Sequence, residues 1–256
     1  MKILYFECNM GAAGDMLAAA LLPLHPNPAD VIDRLNQMGL PDVAVSTHTV
    51  VKHGITGTDF TVRVSGTEEE SQDYHHKHQH NLLSQEFHQG HSHHGMKEIE
   101  HILSHLKLPP AVLENVREVY GLIADAESKV HGQPVELVHF HEVGALDAVA
   151  DIAAVCLLIH ELSPDLIVTS PIHVGSGQVK CAHGILPVPA PATELLLQNI
   201  PSYGGSVEGE LCTPTGAALL RHFSHKFGSR PLMCVRQVGY GMGKKDFEQV
   251  SCVRAF

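Results

Sequence analysis

The chain opens with a short apolar run, Ile3, Leu4, Tyr5 and Phe6 within Lys2 to Glu7, then a glycine turn and the alanine-rich apolar stretch Met16 to Leu22. That order predicts a strand, a tight turn and a helix. A second helix is expected over Pro28 to Met38, stopped by Gly39 and Pro41. β-Branched residues then dominate Val43–Val51 and Asp59–Val64, two strands whose connection is marked by Gly54 and Gly57. From Ser65 to Gly95 the pattern disappears into a polar, histidine-rich stretch with nothing to form a core, which reads as a disordered loop.

Beyond that loop, Lys97–Leu106 and Pro109–Val130 read as packed helices, the second carrying Val112, Val116, Val119, Leu122, Ile123 and Ala126 at helical spacing. A short strand is predicted around Val135–Phe140. The helix after it is apolar on nearly every face from Ala145 to Ile159 and should be central and buried. Strands at Leu166–Ser170 and Ile172–Val174, the proline-rich turn PVPAPA and a helix over Ala192–Leu197 follow. The last third repeats strand, glycine and helix through TPTGAALLRHF, MCVRQVGYG and VSCVRA. Alternation of this kind predicts an α/β fold, a mixed sheet with flanking helices, as one domain over 1–256 with 66–95 a flexible insertion.

Charge and cysteine usage narrow the class. Seventeen basic against twenty-eight acidic residues give a formal charge of -11, which disfavours nucleic acid. No apolar run reaches the roughly eighteen residues of a membrane span, and the N-terminus lacks a signal peptide's apolar core, so a cytoplasmic protein is expected. The six cysteines are scattered singly, which fits reduced thiols. Histidine is the outlier at twenty-one residues, ten of them between His75 and His105, and imidazole suits nickel, zinc and copper. A flexible tract binds metal by composition but fixes no geometry.

His139-Phe140-His141-Glu142 is more specific, because residues two apart on an extended segment face the same side. Asp147 and Asp151 share one face of the buried helix, four residues apart. Dipole stabilisation in a first turn would account for Asp147 without a metal, but a carboxylate at Asp151 on so apolar a helix is costly unless partnered. His139, His141, Glu142, Asp147 and Asp151 are therefore candidate metal ligands, with Asp15 and His183 counted beside them, and Glu142 and His141 are the candidate catalytic groups. Ala145 stands where a second histidine would complete H-E-x-x-H. Gly11, Ala12, Ala13 and Gly14 form a strand-to-helix turn whose N–H groups could receive a phosphate, and Thr213, Thr215 and Gly216 open a second helix of the same kind. For the latter, ordinary threonine capping with proline at the first helical position is the favoured reading. Gly239 to Gly243 permits close backbone approach, to a ligand or to another strand.

Together, GAAGDM, HFHEVGALDAVAD, SPIHVGSGQVKCAHGILPVPAPATELL, GELCTPTGAALL and GYGMGKKD resemble the LarC family, the nickel-insertion proteins of nickel-pincer cofactor synthesis. The resemblance implies a nickel insertase of the lyase class. It would place Ni(2+) in pyridinium-3,5-bisthiocarboxylic acid mononucleotide through two Ni–S bonds and one Ni–C bond. It also implies Mn(2+) and CTP for the full-length protein, with a C-terminal domain, or a separate chain, that this sequence lacks. Forming Ni–C requires loss of a ring C–H proton, hence a base near the metal. A homo-oligomer stays open, and so do two other readings: a nickel store or metallochaperone served by the histidine tract, and a metallohydrolase with an open metal position.

Overall fold

The computed structural model describes residues 1–68, 72–73, 94–140, 146–181 and 184–256. His141, Glu142, His183 and most of the histidine-rich insertion lie outside the described residues, and for His139 the backbone alone is described. The principal sheet has seven strands: β1 (Ile3–Glu7), β2 (Val43–Lys52), β3 (Ile55–Val64), β4 (Leu166–Thr169), β5 (Lys226–Phe227), β6 (Gly239–Met242) and β7 (Cys252–Ala255). Their spatial order is β5-β4-β1-β7-β6-β3-β2. β1 lies parallel to β4, with Ile3 opposite Leu166, and antiparallel to β7, with Phe6 opposite Ala255. β4 and β5 are parallel, as are β6 and β3, while β6–β7 and β2–β3 are antiparallel. The sheet is therefore mixed, and β1, β3, β4 and β6 all end at the same edge.

Seven α-helices are described: α1 (Gly14–Leu21), α2 (Pro28–Gln37), α3 (Met96–His105), α4 (Pro110–His131), α5 (Leu146–Leu162), α6 (Pro191–Leu196) and α7 (Pro214–Phe223). Leu4 and Phe6 of β1, Val253 and Ala255 of β7 and Phe60 and Val62 of β3 join one core with α1, α4, α5 and α7. α1 is buried on seven of its eight residues because it is pressed between the sheet and α5, which leaves room for little beyond alanine on its flanks. The glycines of β6 make that approach possible. A Cβ on Gly239 would lie 1.8 Å from the Ala20 carbonyl oxygen, and one on Gly241 would lie 1.9 Å from that of Met16. The open question about this motif thus resolves to a helix, α1, seated directly on the strand.

α5 is buried along almost its whole length, as its continuous apolar pattern requires. β2 and β3 form a longer hairpin than the β-branched run suggests, reversing at His53 and Gly54, where both residues have positive φ. Gly57 belongs to β3 and not to the turn. Its missing side chain accommodates Met242, whose Cε would lie 2.4 Å from a Cβ there. The strand expected around Val135–Phe140 is confined to His139–Phe140, which pairs antiparallel with His94–Gly95, and Val135–Leu137 is a single 3-10 turn, because Pro134 starts a turn closed by the Leu137 N–H on the Pro134 carbonyl. In the segment MCVRQVGYG only Gly239 onward joins the sheet. No described helix is long and apolar enough to cross a membrane.

Candidate functional site

The shared C-terminal edge of parallel strands is where open α/β sheets put their sites, and here β1 delivers the turn Cys8–Ala13 into α1 at that edge. Two N–H groups of the glycine turn are already engaged: Gly11 donates to the Cys8 carbonyl at 3.1 Å and Ala12 to the Leu211 carbonyl at 3.0 Å. Gly11 has φ +79°, and a Cβ there would lie 1.9 Å from the Leu211 carbonyl oxygen. The second candidate turn is the partner of the first. Thr213 donates its N–H to the Ala12 carbonyl at 3.0 Å, and a Cβ on Gly216 would sit 2.2 Å from that same oxygen. Thr213 caps α7 by accepting the Gly216 N–H at 3.2 Å, and its hydroxyl lies 2.9 Å from that of Thr215. The structure thus packs Gly11, Ala12, Thr213 and Gly216 against one another, with much of their hydrogen-bonding capacity spent on the fold.

Carboxylates, rather than basic groups, surround the start of α1. The N-cap residue Ala13 offers no side-chain cap, and the backbone N–H of Asp15 instead donates toward the carboxylate of Asp151, reaching across from α5. Gly14 makes that contact sterically possible, since a Cβ there would lie 2.8 Å from the Asp151 Cβ. Burial, first, and then the neighbouring charges of Asp15 and Asp147 hold the Asp151 carboxyl well above the usual range. Its Oδ1 is buried and meets no hydrogen-bond partner among the described residues. Burial pushes Asp15 up to about 6, even though the Met16 N–H donates to its Oδ1 at 2.7 Å. Three of the residues predicted from sequence, Asp15, Asp147 and Asp151, are therefore close enough to perturb a common charge balance.

The countercharge comes from a residue that sequence reasoning did not single out. Lys244, just beyond β6, lowers both the Asp15 and Asp151 values while its ammonium sits 2.9 Å from Asp59 and 2.7 Å from Glu68. Burial works against that charge, but the hydrogen bonds to Glu68 and Asp59 outweigh it and the lysine's value is raised. The only hint was its place in GYGMGKKD, because the partners lie about 180 residues away on β3 and just after it. Among the described residues no group of three or more His, Cys, Asp or Glu is arranged to hold a metal ion.

On the other side of the turn, His173 is 6% exposed and is a second residue that the sequence reading left out. Its Nδ1–H donates to the Asn9 carbonyl at 2.9 Å, and its Nε2 is buried and without a partner among the described residues. Its ring stacks on Tyr203 at 4.7 Å with an interplanar angle of 6°. Cys8 and Cys212 are both fully buried nearby, and burial pushes each thiol upward, so neither is a ready thiolate.

A family model described as "Nickel insertion protein" matches residues 4–256. The chain is 39% identical over 246 residues to the "Pyridinium-3,5-bisthiocarboxylic acid mononucleotide nickel insertion protein" of Desulfitobacterium hafniense (strain DSM 10664 / DCB-2), covering 96% of this chain and 56% of that one. It is 37% identical to the proteins of the same name from Geobacillus kaustophilus (strain HTA426) and Clostridium kluyveri (strain ATCC 8527 / DSM 555 / NBRC 12016 / NCIMB 10680 / K1). Those matches cover 96% and 100% of this chain, and 57% and 62% of the relatives. The chain thus spans somewhat more than half the length of these curated relatives. No solved structure matches it.

Proposed function

Because the chain belongs to the nickel insertion protein family, we propose that it carries the metal-inserting part of a reaction that places Ni(2+) into pyridinium-3,5-bisthiocarboxylic acid mononucleotide. The observation that carries this reading is the buried Asp151 Oδ1, without a hydrogen-bond partner among the described residues, beside the raised carboxyl of Asp15. A buried carboxylate oxygen of that kind calls for a proton or a cation. Insertion needs both, since nickel must arrive and the ring carbon that binds it must give up its proton.

In the proposed step the C–H bond at the ring carbon breaks, its proton passes to Asp151, and the electron pair left on carbon bonds to Ni(2+). The two thiocarboxylate sulfurs supply the remaining Ni–S bonds. A carboxylate held well above its usual range is a stronger base than an ordinary one, which suits abstraction from carbon. Asp15 tunes it through charge and through its backbone N–H, and the charge of Lys244 acts in the opposite sense to burial. His139, His141, Glu142, Asp147 and His183 remain the proposed nickel ligands, with Glu142 and His141 kept as the other candidate bases. For the mononucleotide phosphate, the proposal keeps to the rim of the two turns, at Ala13 and at Thr213–Gly216, since the Gly11 and Ala12 N–H groups are engaged and Asp151 packs on Gly14. The glycine turns do not fit a triphosphate, with those donors used and carboxylates at the mouth. CTP and Mn(2+) use are accordingly assigned to the portion of the relatives' length that this chain does not span.

The test is Asp151→Asn, assayed with Ni(2+) and the bisthiocarboxylate mononucleotide, in the presence and absence of Mn(2+), CTP and the remaining portion of a relative. Product formation should fall about 100-fold or more, with the fold checked by thermal melting. An Asp151→Asn protein inserting nickel at the wild-type rate would overturn the assignment.

A further inference from the structure

We propose that Tyr203, backed by His173, is a stacking platform for a planar cationic aromatic ring. On the reading above, that ring is the substrate's pyridinium. Tyr203 is 42% exposed although one face of its ring lies flat against His173. The backing ring cannot turn away. His173 is 6% exposed, its Nδ1–H is committed to the Asn9 carbonyl, and Gly205 is packed so tightly on Nε2 that a Cβ there would lie 2.3 Å from it. Two consecutive glycines, Gly204 and Gly205, follow the tyrosine and put no side chain beside the ring.

The strand pairing does not depend on this side chain. Ser202–Tyr203 pairs in parallel with Ile172–His173 through the backbone, and Val174 donates its N–H to the Tyr203 carbonyl at 3.0 Å. An exposed tyrosine fixed in orientation loses little freedom when a second ring stacks on it, and its electron-rich face favours a cation. The chain's charge of -11 works in the same direction. Position agrees as well. Asn9, which holds His173, lies in the Cys8–Ala13 turn that leads into α1 and Asp15, so the platform and the acidic group flank one segment at one edge of the sheet.

The test measures binding of nicotinic acid mononucleotide, a pyridinium carboxylate mononucleotide, against uridine monophosphate, whose ring is uncharged. The full chain is used as wild type, Tyr203→Phe and Tyr203→Leu, each first checked by thermal melting. Calorimetry should show the pyridinium mononucleotide preferred by wild type, affinity retained within about twofold in Tyr203→Phe, and a loss of roughly tenfold in Tyr203→Leu. Uridine monophosphate should be affected less. Unchanged pyridinium affinity in Tyr203→Leu, or no pyridinium preference in wild type, would overturn the platform. Failure of wild type to insert nickel, with ring binding intact, would instead overturn the reading of function and leave the platform standing.

Discussion

Replacing Gly14 by alanine tests how the acidic edge is assembled. Gly14 is the first residue of α1 and its φ is not positive, so on local grounds alanine should help the helix by up to about 1 kcal/mol. The tertiary contact opposes this. The new Cβ would lie 2.8 Å from the Asp151 Cβ, 3.0 Å from its Oδ2 and 3.3 Å from its Cγ. The nearest of these atoms is anchored to the α5 backbone and cannot swing aside, so overpacking of about 1–3 kcal/mol is expected. The contact should win, leaving Gly14→Ala less stable by about 1–2 kcal/mol and lowering Tm by roughly 2–8 °C for a chain of this size. Asp151→Gly removes the obstructing atoms, and the double variant carries the glycine on α5 instead of α1. Urea unfolding of all four proteins should give a favourable coupling of about 1–3 kcal/mol. Additive single effects, or a Gly14→Ala protein as stable as wild type, would show that the helices do not meet as described and that Asp151 is not directed at the start of α1.

Three further outcomes follow from the same geometry. Asp15 titrates near 6 in the fold against about 3.9 in an unfolded chain, so the folded state holds the extra proton between those values. Its contribution to stability is therefore present in full below about pH 4 and is lost as pH rises to about 6, costing about 3 kcal/mol above it; unfolding of Asp15→Asn against pH should lack that limb. Lys244→Met removes a charge that lowers Asp15, so carbon-13 NMR should find its carboxyl titrating above about 6, and an unchanged value would separate the two groups. Gly241→Ala drives a Cβ to 1.9 Å from the Met16 carbonyl oxygen and should cost about 3 kcal/mol or abolish folding, whereas Gly121→Ala, on α4 with nothing within 4 Å, should stabilise by about 0.5–1 kcal/mol in thermal melts.

Elements with a strong local period were legible in the sequence. α5 announced its burial because apolar residues occupy every face, and α4 because its valines recur at helical spacing. The strand around Val135–Phe140 was read too long, because Val135–Leu137 has a strand's apolar content while Pro134 and the 3-10 hydrogen bond decide the backbone there, and only His139–Phe140 is extended and paired. Gly57 was assigned to a turn because glycine usually marks one. Its real constraint is Met242, a partner on another strand that no local pattern can reveal.

The acidic edge was legible for a different reason, which is energetic. A carboxylate at position 151 on an otherwise apolar helix has no cheap local explanation, so the residue stood out before its surroundings were known. Lys244 was hidden because nothing about a lysine beside a second lysine reports that Asp59 and Glu68 will close on it. The glycine turn lies between these cases. Four small residues after a strand offer free N–H groups in isolation, but how many stay free depends on what packs above them. Leu211 takes the donor of Ala12, and Thr213 in turn donates to the Ala12 carbonyl. Two turns that each look like an anion cradle when read alone thus satisfy one another when folded, while Asp151 occupies the field at the start of α1 where an anion would otherwise be drawn. With a carboxylate already there, the local potential favours a proton or a divalent cation at this edge, and any phosphate must bind toward its rim.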